Sequence, residues 1–137
     1  MYIPINQNPM DIKKVLELNP LVLAFVGDSV QQLMVRVDLC SNSTAKAGEL
    51  HKIATSRVKA TNQALLMDKL LPILTSEEMD IYKRTRNTKM NTIAKHASIS
   101  EYKKASGFEA VIGYLYLLGQ NERLEYLMSI LEDTKED

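Results

Sequence analysis

Leu21-Val22-Leu23-Ala24-Phe25-Val26-Gly27-Asp28-Ser29-Val30-Gln31-Gln32-Leu33-Met34-Val35-Arg36-Val37 is the stretch on which the reading of this chain turns. Leu21, Val22, Phe25, Val26, Val30, Leu33, Met34 and Val37, with the small Ser29 among them, recur at three- and four-residue steps, the period of an α-helix. Asn19 and Pro20 ahead of them suit an N-cap and a first helical turn. Between Pro20 and Val35 the single charged residue is Asp28. A carboxylate carried into a core on such a helix is costly unless a cation, a metal or hydrogen-bond donors compensate it.

Working outward, a second helix is expected from near Thr44, with Leu50, Ile53, Ala54, Val58, Thr61, Ala64, Leu65 and Leu66 on one face and Pro72 as its stop. Thr75-Ser76-Glu77-Glu78 has the form of a capping box and opens a third helix through Met79, Ile81 and Tyr82 into Lys83 and Arg84. From Asn87 to Ser98 the periodicity disappears, which reads as a basic, polar loop between helices. Ser98-Ile99-Ser100-Glu101 is a second capping box, opening a helix through Phe108, Val111, Ile112, Leu115 and Tyr116 that ends near Gly119. Asn121 is expected to cap a last amphipathic helix with Leu124, Leu127, Met128, Ile130 and Leu131. Strand-like alternation, internal repeats and low-complexity tracts are absent, so the expected fold is all-α, a bundle of five or more helices.

The second isolated acid is Glu109, the single charged residue between Ala105 and Gln120. Gly27 adjoins Asp28, and Gly107 and Gly113 flank Glu109, although glycine inside a helix costs about 1 kcal/mol relative to alanine. Small residues let helix backbones approach closely, so these two helices are expected to pack together and bring the carboxylates near each other. Such a pair, with room for water, suits a hard cation such as magnesium, which activates water and stabilises charge developing on a phosphodiester. The competing reading is that each acid makes a structural ion pair or lies on an exposed helix edge.

The 137 residues, 45% hydrophobic, fit one domain able to bury its own core, with little room for a second module. Cys40 is alone and reads as a small buried apolar residue. Met1-Tyr2-Ile3-Pro4-Ile5-Asn6 lacks the pattern of a secretory signal, and no run of about 18 apolar residues is present to span a membrane. A soluble, cytoplasmic protein is expected. Net charge is zero, which argues against coating nucleic acid by bulk electrostatics. The distribution is uneven: residues 83–104 carry 7 Lys/Arg against 1 Asp/Glu, and residues 105–137 carry 2 against 7.

Leu23-Ala24-Phe25-Val26-Gly27-Asp28-Ser29-Val30 resembles the signature helix of the ribonuclease III family, and Phe108-Glu109-Ala110-Val111-Ile112-Gly113-Tyr114-Leu115-Tyr116 is similar to that family's second acidic motif. The likeness spans roughly residues 15–133. Full-length members carry further acids four residues before the aspartate and three before the glutamate, where this chain has Ala24 and Ser106. The Mini-III branch also lacks those acids and the separate double-stranded-RNA-binding domain. Leu50-His51-Lys52 and Lys83-Arg84-Thr85-Arg86-Asn87 look like its sequence too, while Gly107 stands where that branch usually has alanine.

The resemblance implies a ribonuclease III catalytic-domain-like helical bundle over residues 1–137 and a metal-dependent endoribonuclease acting on double-stranded RNA. Asp28 and Glu109 would be its catalytic, metal-holding residues, with Mg2+ or, in its place, Mn2+. It further implies a homodimer in which each subunit cuts one strand, leaving a 5′-phosphate and a 3′-hydroxyl. Maturation of precursor 23S ribosomal RNA, from the large subunit, is the associated task.

Lys83, Arg84, Arg86 and Lys89, with Lys95, His96, Lys103 and Lys104 nearby, are the candidate RNA-binding residues, because A-form RNA is recognised mainly through shape, phosphates and 2′-hydroxyls. The alternative is a solvated helix end whose cations complement the macrodipole. His51 and His96 lack zinc-site spacing and receive no catalytic role. Met34, Met67, Met79 and Met128 read as core filler, and of Tyr114 and Tyr116 one is expected buried and the other at an interface. Two other classes stay open at this point: a non-catalytic RNA-binding module on the same fold, motivated by Ala24 and Ser106, and an all-helical protein-interaction adaptor.

Overall fold

The computed structural model describes residues 2–89 and 98–133, Asp133 by its backbone alone, and shows no strand among them. The helices are α1 (Ile12–Glu17), α2 (Pro20–Asn42), α3 (Ala47–Val58), α4 (Ala60–Leu70), α5 (Ser76–Arg86), α6 (Ile99–Leu117) and α7 (Asn121–Asp133), with a 3-10 turn at Leu71–Ile73.

Helix α6 is the axis of the molecule. Every residue from Ala105 to Leu115 is buried except Glu109, so this helix is apolar on all sides and must be wrapped by others. α2, α4, α5 and α7 do the wrapping. Their contributions to the core include Leu23, Val30 and Met34 from α2, Met67 and Leu70 from α4, Ile81 and Tyr82 from α5, and Leu124, Leu127 and Leu131 from α7. Short α1 adds Val15.

Local chemistry sets the starts of α2, α5 and α6 and the end of α6. The Asn19 side chain accepts from the Leu21 N–H, with Pro20 following it. Both capping boxes form in full, Thr75 with Glu78 and Ser98 with Glu101. α6 ends where Gly119 turns to a φ of +69°, and Gln120 N–H donates to the Leu115 carbonyl at 2.9 Å. Asn6, from the extended N-terminal arm, donates to the Tyr116 carbonyl at 2.8 Å and satisfies another end group of α6.

Four expectations are corrected. The single helix expected from Thr44 begins at Ala47 and breaks at Lys59, whose backbone is extended; Asn62 Nδ2 donates to the Arg57 carbonyl at 2.6 Å across the break. The reason is that the two halves face different partners: Ala54, with Leu50, Ile53 and Val58, packs on Val35 and Leu39 of α2, whereas Ala64, Met67 and Leu70 face the central core. One straight helix cannot serve both. Leu65, assigned to the apolar face, is 63% exposed. Cys40 is exposed near the end of α2 rather than buried. Asn121 is the first residue of α7, and its side-chain oxygen accepts the Asn6 N–H at 3.2 Å.

The methionines behave as core filler, with Met34, Met67 and Met128 buried and Met79 packed against the core. Tyr114 is buried and Tyr116 partly so. Lys95, His96 and most of the expected loop lie outside the described residues. No helix among the described residues is long and apolar enough to cross a membrane.

Candidate metal centre

The site begins with two glycines. A Cβ on Gly27 would fall inside the backbone carbonyl of Glu109, and one on Gly113 would fall inside the carbonyl of Leu23. Glycine at both positions lets the backbones of α2 and α6 touch, which outweighs its unfavourable helix propensity. Asp28, next to Gly27, is thereby set against Glu109, and their side chains are in hydrogen-bonding contact. Residues 81 positions apart in the sequence meet because nothing stands between the two backbones.

Burial, then the hydrogen bond and the charge of Asp28, push the Glu109 carboxyl up to about 8; a hydrogen bond from Gln63 works in the opposite direction. Ion pairs at Arg57–Asp38, Lys104–Asp68 and Arg123–Glu78 involve neither acid. The structural ion-pair reading of the two acids therefore finds no cation among the described residues. No third His, Cys, Asp or Glu joins them there. Ala24 and Ser106 are buried on the same helix faces, one turn earlier, where a carboxylate would have enlarged the cluster.

Asp28 opens outward onto a depression lined with Ser29, Gln32, Leu33 and Arg36. Two adjacent carboxylates, both partly buried and one of them lining an open surface, fit a hard divalent cation that keeps part of its water shell and takes its remaining ligands from a phosphate.

The expected RNA contacts are exposed. Lys83, Arg84 and Arg86 form the last turn of α5, and Lys89 follows it. That turn is tied to α6 through Tyr82, whose Cδ1 lies 2.5 Å from where a Cβ on Gly107 would stand. Glycine at 107 is thus explained by the Tyr82 ring, and the Arg86 guanidinium lies over the same ring at 5.6 Å. The basic turn is anchored to the part of α6 that carries Glu109. Lys104 differs from the others, since Asp68 holds it at 2.8 Å.

Gln63 and Gln31 escaped the sequence reading. Both are buried, and Gln63 Nε2 donates to Gln31 Oε1 at 2.6 Å. The available signal was that Gln63 shares the helical row of Met67 and Leu70, a polar residue at an apolar position.

An all-helical fold that presses two carboxylates together beside an exposed basic turn defines a class, the helical nucleases with an acidic centre. A model of the ribonuclease III domain matches residues 21–120. The chain is 44% identical to a Mini-ribonuclease 3 of Clostridium tetani over 122 residues, covering 88% of this chain and 81% of that protein. It is 45% identical to the Mini-ribonuclease 3 of Enterococcus faecalis over 115 residues, 82% of this chain and 87% of the other. A crystal structure of a Fusobacterium nucleatum protein superposes with a TM-score of 0.80 at 30% identity, over 89% of this chain and 98% of that one. The chain belongs to the ribonuclease III family, in its Mini-III branch, and is an endoribonuclease.

Proposed function

We propose that this chain is a ribonuclease III-like domain that cleaves duplex RNA as a homodimer with Mg2+, or Mn2+ in its place. The observation that carries the reading is the contact between Asp28 and Glu109, two carboxylates with no described cation to hold them together. Bound there, the divalent ion would supply a water nucleophile at neutral pH and stabilise charge on the phosphate. The chain's own part is to hold Asp28 at an open surface with Glu109 against it, so that a phosphodiester can approach from that surface. Water adds to phosphorus, the bond to O3′ breaks and O3′ takes up the proton, leaving a 5′-phosphate and a 3′-hydroxyl.

Lys83, Arg84, Arg86 and Lys89, exposed at the end of α5 and just beyond it, are assigned to the phosphates of the duplex. The homodimer is supported by one face of α2, where Val22, Phe25 and Leu33 are 42%, 75% and 45% exposed at helical spacing. An apolar stripe beside Asp28 suits a second copy, which would set two centres across one duplex. Precursor 23S ribosomal RNA in the cytoplasm is the proposed substrate, by family likeness.

The test is a long duplex RNA incubated with Mg2+ and the native chain, Asp28→Asn or Glu109→Gln. Native cleavage with loss in both variants is expected, duplex binding being retained at low salt. Equal rates for all three would remove Asp28 and Glu109 from the chemistry. Sequencing the ends of precursor ribosomal RNA cut by the chain checks the substrate.

A further inference from the structure

Two buried amides stand behind the carboxylate pair. Gln63 on α4 is 3% exposed and Gln31 on α2 is 5% exposed. Primary amides are costly to bury unless hydrogen-bonded, and methionine would fill the same volume without that requirement. Their bonds show what they hold. Gln63 Nε2 donates one N–H to Gln31 Oε1 at 2.6 Å, and Gln63 also hydrogen-bonds the Glu109 carboxylate. Gln31 Oε1 thereby fixes which way the Gln63 amide points, because turned over it would set one amide oxygen against another. Gln31 lies one helical turn beyond Asp28, so Asp28, Glu109, Gln63 and Gln31 form a connected polar chain that starts and ends on α2.

We infer that Gln63, locked in orientation by Gln31, is a positioning residue that holds the Glu109 carboxylate in place for a divalent cation shared with Asp28. The inference rests on the metal centre proposed above. A carboxylate on a flexible glutamate stem loses rotamer freedom when it takes up a ligand; a fixed donor removes that freedom beforehand. Partners behind metal-holding carboxylates are worth about 10–100-fold in metal affinity or activity. Neither glutamine needs to touch RNA, since neither lines the open face at Asp28.

The experiment uses the full chain and its Gln63→Met, Gln31→Met, double and Asp28→Asn variants. Mn2+ binding is read from the electron paramagnetic resonance signal of the free ion, and duplex cleavage in Mg2+ is resolved into kcat and KM. Gln63→Met is expected to raise the Mn2+ dissociation constant about tenfold or more and lower kcat, with KM for the duplex within about twofold of native. Gln31→Met moves the same quantities less. Because Gln31 acts through Gln63, the double variant matches Gln63→Met alone instead of adding the two effects.

Unchanged Mn2+ binding in Gln63→Met, additive losses in the double variant, or a change in KM in place of kcat overturns the inference. Should Gln63→Met fail to fold, Gln31→Met decides by the same measurements. If Asp28→Asn binds Mn2+ as well as the native chain, the metal centre fails and the inference with it. If Asp28→Asn loses the ion and Gln63→Met keeps it, the inference alone fails.

Discussion

Gly27 lies directly against the backbone carbonyl of Glu109. This contact sets how near α2 and α6 approach, and therefore whether Asp28 and Glu109 meet. Gly27→Ala would insert a methyl group into a carbonyl that cannot move without shifting a helix. Overpacking of well-packed sites costs about 1–3 kcal/mol, and a backbone obstacle places this variant at or above the upper end. Gly48→Ala on α3 is the matched control, since nothing lies within 4 Å of its added Cβ, and it should gain about 0.5–1 kcal/mol. Denaturant titration of both variants checks the contrast; equal stabilities would mean that α2 and α6 do not touch here.

The Glu109 carboxyl, raised to about 8, makes the metal-free fold sensitive to pH. Between the ordinary value of 4.5 and about 8, the folded chain keeps a proton that the unfolded chain has released. Native stability should therefore fall, relative to Glu109→Gln, as pH rises through that window, and the gap should be constant below it. Thermal melts of both chains in chelator from pH 4 to 9 measure this. A difference independent of pH would show that Glu109 is not held neutral.

Cation binding should displace that proton. At pH 7 the native chain is expected to release close to one proton per Mg2+ bound, and affinity should increase toward pH 8. Calorimetry in two buffers of different ionisation enthalpy gives the number directly, and zero release contradicts a metal held by Glu109.

Arg123 holds α5 to α7 through Glu78. Its Nε and a terminal nitrogen each donate to one Glu78 oxygen at 2.8 Å, and that terminal nitrogen also reaches the Ile73 carbonyl at 2.8 Å. Glu78 is 2% exposed; burial works to raise its pKa, but the Arg123 and Thr75 bonds outweigh it and hold the carboxyl below its ordinary range. Arg123→Ala leaves a buried charge unpaired and should cost about 3–5 kcal/mol. The native advantage is present above the ordinary carboxyl value and is lost as pH falls through the lowered one. Denaturant midpoints at pH 7 and pH 3 test both statements.

Single Gln substitutions at Lys83, Arg84 and Arg86 should weaken duplex binding for all sequences alike and reduce the logarithmic salt slope by about 1 for each phosphate contact removed. A slope unchanged in all three would assign the cations to the α5 helix terminus alone. Phe25→Arg, at a site 75% exposed, should leave the melting temperature near native while converting a dimer to monomer in sedimentation. A monomeric native chain would remove the dimer proposal.

Features that depend on neighbours in the chain are written in the residues themselves. The capping boxes at Thr75/Glu78 and Ser98/Glu101 and the start of α2 at Asn19 involve residues within one turn, so their spelling is enough. Asp28 and Glu109 were legible as lone charges in apolar helices, and Gly27 and Gly113 as small residues beside them. How these parts are used depends on which helices pack against one another. The break at Lys59 arises because α3 faces α2 while α4 faces α6, and one apolar stripe in sequence does not reveal two partners. Cys40 has the composition of a core residue but is exposed on its helix. Gln31 and Gln63, 32 positions apart, acquire a joint role through a single hydrogen bond that no local pattern encodes. Propensity and capping act over a few residues, whereas burial and charge pairing depend on which distant surfaces close on one another.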